Sequence, residues 1–257
     1  MLKTILCLFS ILLPITSFAG TSCEQKAISA QEILNASNAA IGLKNFLNKH
    51  DPEVAIIARV GSNAAKYGIK FTHGAYVLKQ GNSSAWKVVH LLNKCGSNKS
   101  DIYDQGLMNF YLDDLHTMET LVIIPEKNLQ KSLAKVLNSS TKLVVHHPHY
   151  STIAYPFSLK YQNSNQWLLE ALTMAENQSI NNRQEAQHYL KNNNYVPSKI
   201  AIGGFEQLGA NLFKSSVSFD DHPKEENASG KFSVVTVDSI LNYLKKNKLL
   251  IKAYALK

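Results

Sequence analysis

Apolar positions recur at helical spacing between Ile33 and Leu47 (Ile33, Leu34, Ala40, Ile41, Leu43, Phe46, Leu47), and Ser29-Ala30-Gln31-Glu32 ahead of them is a capping box. The pattern predicts a helix to about Lys49, stopped by Asp51-Pro52. Val54 to Val60 is a short apolar run of the kind a buried strand shows. Thr72–Lys79 and Ala85–Leu92 read as two strands joined by a turn at Gln80-Gly81-Asn82-Ser83. Asp104-Gln105-Gly106 predicts a further turn. Glu119–Ile124 predicts a strand, and Pro125 a helix running to about Asn138. Residues 151–162 are irregular and aromatic. Helices follow from Asn163/Ser164 (Trp167, Leu168, Ala171, Leu172, Ala175), over Asn182–Asn192 and over Thr236–Asn247, with a last strand at Leu249–Leu256. Strands and helices without βα alternation predict an α+β fold.

The N-terminus departs from this pattern. Met1-Leu2-Lys3 is a short basic start, Ile5–Pro14 is apolar, and Ser17-Phe18-Ala19 places small residues before Gly20. This is the pattern of a secretory signal peptide over residues 1–19, leaving one α+β domain over 20–257 and no transmembrane segment. The expected location is the periplasm or the extracellular space. Removal of the leader takes Cys7 with it, and the remaining Cys23 and Cys95 suggest one disulfide in an oxidising compartment.

The composition is that of a globular protein: 257 residues, 45% hydrophobic and 18% charged. The net charge of +8 is dispersed, its densest run being Lys245-Lys246-Asn247-Lys248 at a helix end. No basic stripe with interleaved aromatics appears, so no nucleic-acid partner is expected. His146-His147-Pro148-His149 has the residue types of a metal tract. Adjacent strand positions point opposite ways and Pro148 bends the path, so no metal is expected, and with no phosphate loop or dinucleotide fingerprint in the sequence no cofactor is expected.

Three stretches carry candidate chemistry. His73 heads a strand and is followed by Gly74. His90 lies on the strand predicted to pair with it, which allows both rings to share one face. Tyr161 to Trp167 is a polar cluster opening an apolar helix, where free backbone N–H groups favour a developing oxyanion. Without further information Ser164 is an N-cap, His73 a satisfied buried histidine and His90 a strand residue.

His73-Gly74-Ala75-Tyr76-Val77, Val88-Val89-His90-Leu91 and Asn163-Ser164-Asn165-Gln166-Trp167-Leu168 together resemble the circularly permuted papain-like proteins, the lecithin:retinol acyltransferase-like enzymes among them. From about Cys23 to Pro223 the chain also resembles a family of exported bacterial proteins, domain of unknown function 2145. The features are Thr72-His73, Ala75, Asp104 to Leu107, Ala154 to Phe157, Tyr161 to Trp167 and Asp221-His222-Pro223. The first resemblance implies an antiparallel sheet packed against helices. It also implies hydrolysis or acyl transfer at an amide or ester, with Ser164 where relatives carry a cysteine nucleophile, His73 as base and His90 orienting it. Serine in that position also fits a catalytically silent binding module of the cell envelope. Asn163, Gln166, Tyr155 and Trp167 are the expected substrate contacts. The expected ligands are an envelope peptide, a glycan or an acyl group.

Overall fold

The computed structural model describes residues 27–81, 85–113, 115–204, 206, 207, 209 and 215–257. The expected leader, Cys23 and part of the predicted 80–83 turn lie outside these residues. Ser29 caps α1 (Ala30–His50): its hydroxyl accepts from the Glu32 N–H, and the Glu32 carboxylate accepts from the Ser29 N–H, completing the capping box. Asp51 closes the helix in the left-handed region at φ 45°.

The strands β1 (Val54–Val60), β2 (His73–Lys79), β3 (Trp86–Asn93), β4 (Ser100–Gly106), β5 (Thr117–Pro125) and β8 (Leu250–Leu256) form one antiparallel sheet in the order β4-β3-β2-β1-β5-β8. The unbroken apolar run of β1 follows from this order. The strand is interior and all seven of its residues are buried, because helices cover both faces. On one face Ile56, Tyr76, Val89 and Ile123 pack against α3 (Lys127–Leu137), α4 (Ser164–Glu176) and α7 (Val237–Lys246). On the other, Ile57, Val77, Val88 and Val122 meet α1 and the short α2 (Leu107–Tyr111).

The antiparallel α+β architecture is thus the one expected, with three local differences. Asp104-Gln105-Gly106 is not a turn; it ends β4, where Val88 pairs with Gln105 and Lys87 with Gly106. Seven consecutive pairings with β3 override the local turn preference of that triplet. Pro125 ends β5 rather than opening a helix, and the Glu126 carboxylate caps α3 by accepting from the Asn128 and Leu129 N–H groups. A second sheet of β6 (Ser198–Ala201) and β7 (Lys231–Val234), with the short α6 (Lys224–Ser229) before β7, has no counterpart in the sequence pattern. Its strands are only four residues long, too short for a periodic signal. The remaining helix, α5 (Arg183–Asn192), packs on α4 and starts at the Asn182 cap. Among the described residues, no helix is long and apolar enough to cross a membrane.

Candidate active site at the start of α4

Asn163, not Ser164, is the N-cap of α4. Its side-chain oxygen accepts from the Gln166 N–H at 2.7 Å, and its amide donates to the Thr152 carbonyl at 3.2 Å. With the cap supplied by its neighbour, the Ser164 hydroxyl has no part in starting the helix. Asn165 ties the first turn to the head of β2: its oxygen accepts from the Gly74 N–H at 2.9 Å and its amide donates to the Thr72 carbonyl at 3.2 Å. A Cβ on residue 74 would meet Leu168 Cδ1 at 3.0 Å and Asn165 Oδ1 at 3.2 Å. Glycine therefore lets α4 come this close to the strand.

That approach brings His73 onto Ser164. His73 Nδ1 lies 3.1 Å from Ser164 Oγ, and His73 Nε2 lies 2.9 Å from His90 Nδ1. His90 Nε2 lies 3.1 Å from the side-chain oxygen of Gln105. The β2–β3 register pairs Val77 with Val88, so alternation puts His73 and His90 on one face of the sheet. The Phe110 ring lies beside both imidazoles, at 6.2 Å from His73 and 6.0 Å from His90 between centroids. The Ser164 and Asn165 backbone N–H groups, in the first turn of α4, find no acceptor among the described residues.

A fixed cation stands behind this chain. Arg59 pairs across the strands with His73, is 4% exposed, and has its guanidinium 4.9 Å from the Phe110 ring centre. It donates to the Phe110 carbonyl and is ion-paired with Asp113, while its Nε is buried with no partner among the described residues. Burial first, then the Arg59 charge, hold both imidazoles below their ordinary range: His73 well below it, His90 at about 4. Both rings are therefore neutral at pH 7, the form in which His73 can accept a proton. The same surroundings make the resulting imidazolium costly. Tyr150 completes the cluster; burial pushes its phenol up, partly offset by the nearby Thr152 and Ser164 hydroxyls.

The four expected substrate contacts have other duties. Trp167 is 0% exposed, its indole N–H donates to the Lys142 carbonyl at 3.1 Å, and its ring stands edge-on to Tyr76 in the core. Gln166 donates to the Pro156 carbonyl and to Glu170, both at 3.2 Å. Asn163 is the cap described above. Tyr155 is half-buried against Phe157 and His222, with its backbone N–H on Asp221. The reason is that α4 is covered on all sides: every residue from Ser164 to Ala175 is buried. The Asn163, Gln166 and Trp167 side chains are thus engaged by the surrounding protein.

The other polar residues of the quoted motifs, and the His146–His149 tract, are tied into the structure. Asp104 pairs with Lys87 and Lys142 and reaches neither histidine. His222 links the Glu226 carboxylate (2.9 Å) to the Ile153 carbonyl (2.7 Å). His149 meets Lys99, and His147 Nδ1 accepts from the His149 N–H. No group of three metal-ligating side chains gathers among the described residues. Gln105, Arg59, Asn165 and Tyr150 were not expected in the site. Asn165 and Gln105 lie inside quoted motifs without being singled out, and Arg59 stands out as a charge inside the apolar run Val54–Val60.

Residues 46–244 match a family described as uncharacterized protein conserved in bacteria, domain of unknown function 2145. No curated protein and no solved structure matches the chain.

Proposed function

The chain belongs to the domain of unknown function 2145 family, and from that premise we propose that it uses a permuted papain-like cleft for acyl transfer or hydrolysis at an amide or ester. Ser164 is the nucleophile, His73 the general base, and His90 the group that holds His73 in place. The observation that carries this reading is the 3.1 Å contact between His73 Nδ1 and a serine hydroxyl that the helix does not need for capping. As Oγ bonds to the acyl carbon, its proton passes to His73 Nδ1. The charge developing on the acyl oxygen is met by the Ser164 and Asn165 N–H groups, which have no acceptor among the described residues. The proton then goes to the departing amine or alkoxide, and water or an acceptor hydroxyl releases the acyl group from Ser164. The leader over residues 1–19, export and the Cys23–Cys95 pairing belong to the same proposal, with envelope peptides or acyl lipids as substrates.

Fluorophosphonate labelling of the mature protein tests it. Labelling at Ser164 that is lost in Ser164→Ala, and falls at least ~100-fold in His73→Ala, is the expected result. Labelling that persists in both variants sinks the assignment.

The second reading, a silent binding module, is favoured by the enclosure of Ser164 (7% exposed) and by the cost of charging His73 beside Arg59. It predicts no labelling. It also predicts that Ser164→Cys gains no thiol-dependent hydrolysis, although cysteine is the better nucleophile.

A further inference from the structure

Donor counting along the four side chains assigns each proton. The Gln105 amide oxygen has no proton to give, so at 3.1 Å His90 Nε2 is the donor. In a neutral ring the other nitrogen then holds the lone pair, and His90 Nδ1 accepts from His73 Nε2–H at 2.9 Å. His73 Nδ1 is left with its lone pair facing Ser164 Oγ, and the hydroxyl donates to it. Turning the amide over reverses every bond. Its NH2 group would donate to His90, His90 to His73, and His73 Nδ1–H would point at the serine oxygen. Ser164 would then have no base.

We propose that Gln105, at the end of β4, is the positioning residue that sets the tautomers of His90 and His73 and so presents a lone pair to Ser164. The proposal rests on the reading of Ser164 and His73 as nucleophile and base. It requires neutral rings. The charged groups around the pair are Arg59, whose cation opposes protonation of both, Asp113, which pairs with Arg59, and Asp104, held by Lys87 and Lys142. Gln105 is half-buried on an edge strand, so replacing it does not hollow the core.

The test is to record the histidine tautomers by long-range 1H–15N correlation at pH 8 in wild type, Gln105→Leu and Gln105→Glu. A carboxylate also only accepts, so Gln105→Glu is the conservative rescue. The expected result is Nε2–H on both rings in wild type and Gln105→Glu, and a mixture of tautomers in Gln105→Leu. In parallel, the rate of fluorophosphonate labelling falls about tenfold or more in Gln105→Leu and stays within about threefold of wild type in Gln105→Glu. Nδ1–H on His73 in wild type, or tautomers unchanged in Gln105→Leu, overturns the proposal. If Ser164 never reacts, the reading of the nucleophile fails, while the tautomers still decide the role of Gln105.

Discussion

The first and second turns of α4 carry buried polar clusters of opposite character. In the second turn, Glu170 receives five N–H donors: Gln162 at 2.6 Å and Arg183 Nε at 2.8 Å on one oxygen, and Gln187 at 2.9 Å, Gln166 at 3.2 Å and Arg183 Nη2 at 3.2 Å on the other. Arg183 also donates to the Ser158, Leu159 and Tyr161 carbonyls, so this hub pins the irregular 151–162 segment to α4 and α5. Around the hub, only the Gln166 Oε1 is buried with no partner among the described residues. In the first turn, among the described residues, each imidazole nitrogen has one partner, the groups are neutral except Arg59 behind them, and two backbone N–H groups have no acceptor. The ionic cluster uses its charge to fix neighbouring segments, whereas the neutral chain ends at N–H groups that have no acceptor among the described residues.

The largest expected effect breaks the hub. Arg183→Met leaves the Glu170 carboxylate buried and without its cation, and is expected to cost about 3–5 kcal/mol in urea unfolding. A loss below about 1 kcal/mol contradicts the structural role given to the hub. The pH dependence of the neutral chain comes next. His90 is held at about 4 in the fold, whereas the unfolded chain takes up that proton near 6.5. Above pH 6.5 the ring contributes no slope. As pH falls from 6.5 to 4 the unfolded state binds the extra proton, and stability drops by about 3 kcal/mol. Unfolding midpoints at pH 7.5 and 4.5, compared with those of His90→Gln, isolate this loss, since the variant lacks the titrating group. An equal drop in the variant refutes it. The smallest effect separates neighbours: Asn163→Ala is expected to cost about 1 kcal/mol as a lost cap, and Ser164→Ala less than about half of that. The reverse order makes Ser164 the cap and removes the argument for its free hydroxyl.

Much of the framework was legible along the chain. The box at Ser29–Glu32 and the helices opening after Asn163, Asn182 and Thr236 arise from contacts within a few residues, the run from Val54 to Val60 is marked by its residue types, and the structure keeps them all. His73, His90 and Ser164 could be singled out as well, through strand pairing and helix position. Gln105 could not: it sits in a triplet with strong turn preference, and only pairing with β3 turns it toward His90. Gln166 and Trp167 looked like groove residues because their polarity and size say nothing about what covers them.

By itself the sequence determined the α+β elements and singled out two histidines and a serine, His73, His90 and Ser164, since periodicity, capping and residue chemistry are local properties. Only the tertiary structure decided that Asn163 rather than Ser164 caps α4, that Gly74 admits the helix to the strand, and that His73, 91 positions from Ser164, lies 3.1 Å from it. It also placed Arg59 behind the imidazoles and Gln105 at the end of the chain. Such choices depend on which of several competing partners comes within hydrogen-bond reach, and chain closure and packing set those distances.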